Sequence, residues 1–231
     1  MDIRKLRTPL QWGPRRAVIW YLLEFAKRIL NLNLFRLWVA QGPDDAWSAD
    51  LPEIPLEFPT RCLEPQELIP YITPDNDLPA EFLDEAQKKG DECTAVFHQG
   101  KVVSYGFDSY KRTLINEALD IDIPEGLRYG YKGWTHPDYR QQGISRYRAK
   151  AKFDRYGFRR LKGVWYVEYH NYASLLNNRY EPPDQRPLYL GIIGWIRIFG
   201  HVIPFNSRRA KWLGTVLLKK QAPSRRTYPY T

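Results

Sequence analysis

The sequence predicts an α/β fold of the α+β type, with one mixed, mostly antiparallel central sheet, helices on both faces and a helical extension at the N-terminus. The 231 residues suit one α/β domain with extensions. Hydrophobic residues make up 43% and charged residues 26%, which is typical of a globular protein and excludes a disordered one. Strand-like and helix-like segments alternate and end in the order strand, helix, strand, helix, strand, strand, which favours one mixed sheet.

The chain is expected to divide into an N-terminal extension over residues 1–41, a domain over 42–220 and a flexible tail over 221–231. The extension carries a predicted helix over 14–30, and Pro14 suits its first position. Apolar residues recur on one face of this helix at helical spacing: Val18, Leu22, Phe25 and Ile29. Basic residues occupy the rest, so two interpretations stay open: a helix packed on the domain core, or an interfacial helix on anionic lipid.

Turn residues and hydrophobic period define the remaining elements. Residues 42–58 are rich in Pro, Asp and Gly and predict an irregular connection. Gly90 ends the clearest helix, and Gln99-Gly100-Lys101 joins two strands as a hairpin. We predict strands over 34–39, 58–63, 93–98, 102–108, 127–135, 164–169, 188–199 and 213–218, and helices over 65–71, 79–89, 143–161 and 172–179.

The charge balance is basic, because 35 Lys and Arg against 26 Asp and Glu give a net charge of +9. Such an excess suits nucleic acid, an anionic membrane surface or a polyanionic small molecule such as CoA, and equally an ordinary basic surface.

Cys62 and Cys93 have no metal-type spacing and form no disulfide framework, so a reducing compartment is expected. The four histidines show no paired ligand spacing, so we expect no metal. Residues 187–205 predict two strands rather than a membrane span, because Arg197 and His201 interrupt them.

One segment combines the features of an anion site. A predicted strand runs to Thr135, a Pro turn follows, and residues 140–145 lead directly into a basic helix. The first turn of a helix offers free backbone N–H groups and the positive end of the helix dipole, which suits a phosphate or pyrophosphate. Gly143 lets the backbone approach a bulky anion, and Arg140 adds a positive charge that reaches phosphate oxygens.

The stretch T-H-P-D-Y-R-Q-Q-G-I-S (residues 135–145) resembles the acyl-CoA loop of the GNAT acetyltransferase superfamily, V-x-P-x-x-R-x-x-G-x-G/A. The resemblance implies a GNAT-like fold and an acyl-CoA-dependent N-acyltransferase that uses acetyl-CoA or another acyl-CoA. In that family the loop amides hold the CoA pyrophosphate, and the pantetheine pairs with the splayed end of the preceding strand. Thr135 would then face the pantetheine and Arg140 the phosphates, while the pyrophosphate would lie against Gln141, Gln142, Gly143, Ile144 and Ser145.

A second resemblance lies downstream. The predicted strand 164–168 is followed by His170-Asn171-Tyr172-Ala173-Ser174, similar to the family's N-x-x-A/S, in which Asn171 would help to hold the pantetheine arm and Ser174 also matches. The family's tyrosine, seven residues after this Asn, is replaced by Asn178, and Tyr180 comes two residues later. The strand before the loop, 127–135, offers no carboxylate.

Catalysis by direct transfer requires a base for the amine and gains from an acid for the leaving thiolate. Glu168, near the end of its strand, is our candidate base, and Asp108 is the alternative. Tyr180 is the candidate acid, with Tyr172 in its place as the alternative.

Three functions follow from these observations. The first is an N-acyltransferase acting on an amine of an anionic or lipid-linked acceptor, in the cytoplasm and at the inner face of a membrane through residues 14–30. The second is a GNAT-like module that binds acyl-CoA or a protein without turnover. The third is a nucleic-acid-binding protein, motivated by the Arg-rich stretch 140–160 and its interleaved aromatics.

Overall fold

The computed structural model describes residues 11–39, 51–116, 119–123, 125–156, 162–172, 188–199, 201–207 and 218–220. The chain is of mixed α/β class, and its main sheet has eight strands that are mostly antiparallel, which confirms the predicted fold class. Two compact units are present. The first unit comprises Met1–Val39, Thr113–Pro124 and Tyr166–Thr231, and the second unit comprises Ala40–Arg112 and Glu125–Trp165. The predicted domain limits at residues 41 and 220 stay predictions.

The elements lie close to the predicted ones. In chain order they are α1 (Pro14–Leu30), β1 (Asn33–Val39), β2 (Thr60–Leu63), a 3₁₀ helix (Pro65–Tyr71), α2 (Ala80–Lys89), β3 (Glu92–His98), β4 (Lys101–Ser109), β5 (Thr113–Asn116), β6 (Leu119–Ile121), β7 (Leu127–Thr135), a 3₁₀ turn (Pro137–Tyr139), α3 (Ile144–Tyr156), β8 (Lys162–Glu168), β9 (Leu188–Ile198), β10 (His201–Asn206) and β11 (Leu218–Lys220). The predicted helix over 172–179 lies almost wholly outside the described residues.

The second unit is built on strands in the order β2, β3, β4, β7 and the start of β8. Strands β3 and β4 form the predicted hairpin, and its two-residue turn places Gln99 and Gly100 at φ 49° and 75°, as a type I′ turn requires. Every residue of β4 after Lys101 is buried, because the strand lies centrally and both of its faces are covered. Helix α2 contributes Phe82, whose ring meets that of Phe107 edge-on at 4.8 Å.

The first unit contains β1 between β9 and the end of β8. Strand β1 pairs antiparallel with β9, β9 pairs antiparallel with β10, and the Tyr169 N–H donates to the Leu34 carbonyl at 2.8 Å. The β9–β10 hairpin confirms the two predicted strands in this region, which lie over Leu188–Ile198 and His201–Asn206. Strands β5, β6 and β11 form a separate three-stranded sheet, and β5 and β6 were not predicted.

The helix predicted over residues 14–30 is confirmed with the same bounds, but it is not packed as a core helix. Its apolar residues Val18, Leu22, Phe25 and Ile29 are exposed, and Ala17 is its only buried residue. Among the described helices, none has both the length and the apolar character needed to cross a bilayer.

Gly194 in β9 is a position where any side chain is expected to destabilise the first unit. A Cβ there would lie 2.3 Å from the Asn33 carbonyl oxygen and 2.5 Å from the Phe205 ring, so β1 and β9 could not keep their register. We expect Gly194→Ala to lower the free energy of unfolding by about 2 kcal/mol, measured by urea denaturation. The matched control is Gly133→Ala in β7, whose Cβ would meet nothing closer than Arg148 at 3.9 Å. Equal stability of the two variants would contradict this account.

Candidate functional site

Strand β7 carries an irregularity just before the segment that resembles the acyl-CoA loop. Along the β4–β7 ladder, Tyr105 pairs with Trp134 and Phe107 with Tyr131, so two residues of β7 lie opposite one residue of β4. Lys132 at this bulge has φ 49°. A bulge bends and twists its strand and re-aims the residues that follow it. The end of β7 is therefore turned away from the regular line of the ladder as it reaches the loop.

The end of β7 is fixed to β4 by side chains as well as by the ladder. The Ser104 hydroxyl donates to the Trp134 carbonyl at 2.8 Å, and the Thr135 hydroxyl lies 2.9 Å from the Ser104 oxygen. The N–H of His136 then donates to the Val103 carbonyl at 2.9 Å. Thr135 is thus placed at the mouth of the loop, with its hydroxyl engaged by the neighbouring strand.

The loop itself turns through two left-handed residues. Gln141 has φ 64° and Gly143 has φ 75°, and a Cβ built on Gly143 would meet no atom within 4 Å. The space beside Gly143 is therefore open, and α3 begins at the next residue. The first turn of α3, with its free backbone N–H groups and the positive end of the helix dipole, therefore begins beside open space, as at helix ends that bind anions.

Side chains of the loop divide into anchors and exposed groups. Ile144 is buried in a cluster with Val96 and Val103, against which Tyr139 and Tyr147 pack, so its side chain fixes the start of α3. Other contacts hold the loop on itself: Arg140 Nε donates to the Thr135 carbonyl at 3.0 Å, and Gln142 Nε2 to the Asp138 carbonyl at 2.7 Å. Ser145 is exposed in the first turn of α3.

Strands β7 and β8 pair in parallel within the second unit. Their ladder joins Leu127 to Lys162, Arg128 to Gly163 and Tyr129 to Val164, and it is the whole of the β7–β8 pairing among the described residues. Strand β7 continues past this ladder to Thr135, where the loop begins. A stretch of strand outside a ladder offers main-chain donors and acceptors to an extended ligand that carries its own amides.

The basic residues of α3 do not all face solvent. Arg148 donates to the Tyr105 carbonyl, and Lys152 pairs with Asp108, so both side chains turn toward β4. Lys150 pairs with Asp154 on the helix surface at 2.6 Å. Room for the Arg148 guanidinium exists because residue 106 is Gly: a Cβ there would collide with Arg148.

Asp108, the alternative base, is the buried carboxylate of this charged cluster. It is 3% exposed, and it accepts from Arg128 at 2.8 Å as well as from Lys152. Burial raises the pKa of the Asp108 carboxyl, but Lys152 and Arg128 outweigh it, so the pKa lies below its ordinary value. A base tuned near neutral pH needs the opposite shift. The environment therefore argues against proton abstraction by Asp108.

The pKa values of two groups beside Asp108, Lys152 and Cys93, are also shifted by burial. Burial lowers the pKa of the Lys152 ammonium, and Asp108 counteracts only part of that shift. Burial also raises the pKa of the Cys93 thiol to about 12, so Cys93 is a thiol at neutral pH and not a nucleophile.

Glu168, the candidate base, belongs to the first unit and contacts α1. Its Oε1 accepts from Lys27 Nζ at 2.7 Å, and its Oε2 lies 3.9 Å from His170 Nε2. His170 Nε2 is also 2.8 Å from Glu24 Oε1, and ligand-type atoms of Glu24, Glu168 and His170 all lie within 4.8 Å of one another. Two carboxylates and an imidazole are ligands for a divalent cation. Lys27 and the Glu24–His170 hydrogen bond already engage these atoms, so the cluster is a polar network that links α1 to the end of β8.

Of the other predicted site residues, two lie in the first unit and two lie outside the described residues. Asn171 is exposed in the first unit, and its N–H donates to the Glu168 carbonyl at 2.9 Å. Tyr172 is buried, its ring lies 6.5 Å from that of Trp12, and burial raises its pKa. Ser174 and Tyr180 lie outside the described residues. The structure brings together the six loop residues, Arg140 to Ser145, with Thr135.

The charged cluster of α3 and the Glu24–His170 contact are the residues that sequence reasoning missed. The spacing of Arg148 and Lys152, four residues apart, indicates that they share a helix face. Gly106 lies opposite on β4, and nothing local in the sequence indicates that this face points inward.

No protein-family profile and no curated protein sequence matches the chain. Its fold is similar to those of solved structures that include members of the GNAT family. A GNAT-family protein from Novosphingobium aromaticivorans is 12% identical with a TM-score of 0.45, covering 71% of this chain and 62% of that one. A GCN5-related N-acetyltransferase-like protein from Streptococcus suis is 14% identical with a TM-score of 0.43, covering 74% and 65%. A conserved protein of unknown function from Staphylococcus epidermidis is 11% identical with a TM-score of 0.43, covering 74% and 64%. The chain spans a little under two thirds of the length of these structures.

Proposed function

We propose that the chain is an acyl-CoA-dependent N-acyltransferase that transfers an acyl group, with acetyl as the first candidate, from CoA to an amine. The observation that carries the proposal is the loop at the end of β7, where the left-handed Gly143 leaves open space at the N-terminus of α3. The residues that resemble the acyl-CoA loop in sequence are the residues that form this turn.

The loop provides what a pyrophosphate requires. Backbone N–H groups in the first turn of α3 supply donors that cost no side-chain entropy, and the helix dipole favours negative charge at that end. Ser145 is small and exposed, so it does not obstruct the approach. We propose that the CoA pyrophosphate lies against Gln141 to Ser145, with the Arg140 side chain beside it.

The end of the β7–β8 ladder at Tyr129 supports the second half of the cofactor site. The pantetheine arm is an extended chain with two amides, and beyond Tyr129 the backbone of β7 is no longer joined to β8 by the ladder. An extended ligand adds to such an edge through main-chain hydrogen bonds. We propose that the pantetheine runs along β7 between Tyr129 and Thr135.

The catalytic assignments rest on the positions of the residues in the sequence, since the chain departs from the family pattern at the tyrosine and at the strand carboxylate. Holding an amine against a thioester carbonyl supplies much of the acceleration by positioning, and a base adds roughly 10²–10⁴-fold. We propose Glu168 as the base and Tyr180 as the acid, with Asn171 and Ser174 on the pantetheine arm. Asp108 is set aside, because its two cationic partners hold its pKa low.

A non-catalytic acyl-CoA-binding module is the second candidate, and one observation favours it. Strand β7 carries no carboxylate, and the buried carboxylate on β4, Asp108, is occupied by Arg128 and Lys152. The nucleic-acid candidate loses its motivation, because Arg148, Lys152 and Arg155 of the Arg-rich helix turn to protein groups; Arg155 donates to the Cys62 carbonyl at 2.7 Å.

The test is calorimetric titration of the full chain with acetyl-CoA and with CoA, followed by a thiol-release assay with a set of small amines and amine-bearing lipids. Micromolar binding of both ligands, with thiol release that depends on an amine, is the expected result. Binding without release under every acceptor would favour the non-catalytic module. Absence of binding to acetyl-CoA and to longer acyl-CoAs would remove both.

A further inference from the structure

Helix α1 is amphipathic, but its apolar face points outward, whereas an ordinary helix of a globular protein turns that face to the core. Its apolar stripe consists of Val18, Leu22, Phe25 and Ile29, which are 57%, 62%, 65% and 63% exposed. Their spacing of four, three and four residues puts them on one face along the helix. Helices of soluble domains turn such a stripe to the core, so a stripe that faces outward indicates a further apolar surface.

The opposite face of α1 explains this orientation. Ala17 is buried, Trp20 meets the His170 ring edge-on at 5.8 Å, and the polar residues Glu24 and Lys27 bond to His170 and Glu168. The polar side is therefore fixed to the first unit by one ion pair and one hydrogen bond. Rotating the stripe inward would break the Lys27–Glu168 ion pair and the Glu24–His170 hydrogen bond, so the outward orientation belongs to the folded chain.

Charge around the stripe is strongly one-sided. Helix α1 contains four basic residues and one acidic residue, Glu24. The Oε1 of Glu24 lies against His170, and its Oε2 lies 4.0 Å from Arg28 Nε, so Glu24 offsets part of the charge of Arg28. Arg15 and Arg28 are exposed, and at 100° per residue they border the stripe on its two sides. An apolar stripe with cationic borders is the pattern of helices that lie in the interface of an anionic bilayer.

A second copy of the chain fits the stripe less well. Two α1 helices packed stripe to stripe would bring the Arg15 and Arg28 side chains of both copies to the same contact, where each helix offers one carboxylate, Glu24, against its four basic residues. Anionic lipid headgroups supply negative charge at both borders of the stripe, and the acyl region accepts the apolar side chains. At about 1.5 Å per residue, the 17 residues of α1 extend ~25 Å along a surface.

From these observations we infer that α1 docks the protein on the surface of an anionic bilayer, with Val18, Leu22, Phe25 and Ile29 inserted between the headgroups and Arg15 and Arg28 on phosphates. The inference goes beyond the proposed acyl transfer and does not depend on it. The four inserted side chains are exposed in the folded chain, so their insertion into the headgroups requires no rearrangement of the fold.

The test is co-sedimentation of the full chain with vesicles of phosphatidylcholine alone and of phosphatidylcholine with phosphatidylglycerol. The wild type is expected to bind the anionic vesicles and to bind the neutral ones at least tenfold more weakly. Leu22→Glu and Phe25→Glu should each lower the partition coefficient about tenfold or more. Arg15→Gln with Arg28→Gln should lower it about fivefold for each charge removed, on the anionic vesicles only.

Leu56→Glu is the matched control, because Leu56 is 100% exposed in the second unit and receives the same change. It should leave the partition coefficient within about twofold of the wild type, since scattered exposed apolar residues are ordinary. Failure of the wild type to bind anionic vesicles would overturn the inference, as would equal loss of binding in Leu56→Glu. A wild-type dimer in sedimentation equilibrium that Leu22→Glu converts to a monomer would overturn it in favour of a second copy.

Discussion

Replacing Ser145 by glutamate is expected to lower the affinity for acetyl-CoA at least ~100-fold while leaving the fold intact. The side chain is exposed in the first turn of α3, where we propose that the pyrophosphate lies. At a separation of about 5 Å and an effective dielectric constant near 20, two like charges repel by roughly 3 kcal/mol, which is about two orders of magnitude in affinity. A carboxylate in the first turn of a helix is itself favourable, so the variant should unfold no earlier than the wild type.

Gln66→Glu is the matched control for charge, because it adds the same negative charge at an exposed position of the second unit outside the loop. Gly143→Ala is the control for backbone strain: φ 75° is unfavourable for Ala by about 1 kcal/mol, but the variant adds no charge. Calorimetric titration and thermal unfolding of the four proteins separate the effects. If Ser145→Glu bound acetyl-CoA as the wild type does, the pyrophosphate could not lie at α3, and the proposed cofactor site would be wrong.

Elements with strong local signals could be predicted to the residue. Helix α1 and strand β7 have the predicted bounds, because the first has a sustained 3.6-residue period opened by Pro14 and the second has a clear run ended by a Pro turn. Strands β5 and β6 have four and three residues, which is too short for a period to be recognised. The turn between β7 and α3 could also be predicted, because its signals, Pro137 and Gly143, lie within one contiguous stretch of the sequence.

Orientation could not be predicted, because it depends on partners far away in sequence. The period of α1 identifies an apolar face but does not say whether that face points to the protein. The answer lies in the contact of Glu24 with His170, 146 residues later, and of Lys27 with Glu168, 141 residues later. A helix of this amphipathicity normally gains by burying its stripe, and here these long-range polar contacts hold the opposite face against the first unit.

The bulge in β7 illustrates the same limit. Lys132 adopts φ 49° within an otherwise regular strand, although a lysine favours neither a bulge nor a left-handed backbone. Its ammonium pairs with Asp77, a contact between residues 55 positions apart. The irregularity that re-aims the end of β7 toward the loop is therefore associated with a long-range contact that no local pattern indicates.

Asp108→Asn is expected to lower the free energy of unfolding at pH 7 by about 3 kcal/mol, because it leaves the half-buried cations Arg128 and Lys152 without their buried counter-ion. The effect follows from desolvation: the two cations lose the attraction that offsets the cost of their burial. Urea denaturation of the wild type and the variant at pH 7 measures it. Asp154→Asn is the matched control on the same helix, since it breaks the exposed pair with Lys150 and should cost no more than about 0.5 kcal/mol.

The pH dependence of the difference tests the cause. The pKa of Asp108 in the folded chain lies below its unfolded value, so its contribution is fully present above the unfolded pKa, near about 4, and is lost as the pH falls through the folded pKa. The stability gap between wild type and Asp108→Asn should therefore hold from pH 7 to pH 5 and narrow below about pH 4. A gap that stayed constant down to pH 3 would mean that the cost comes from packing rather than from the charge of Asp108.

A second substitution separates charge from shape. Lys152→Met removes one of the two unpaired cations and keeps most of the volume of the side chain, so the double variant Asp108→Asn with Lys152→Met should recover a part of the lost stability. Arg128 still lies at 30% exposure beside the new amide, which limits the recovery. Additive losses in the double variant would show that Asp108 and Lys152 are not coupled. Recovery would show that the carboxylate is present in β4 to hold α3, and with it the loop at its N-terminus, against the sheet.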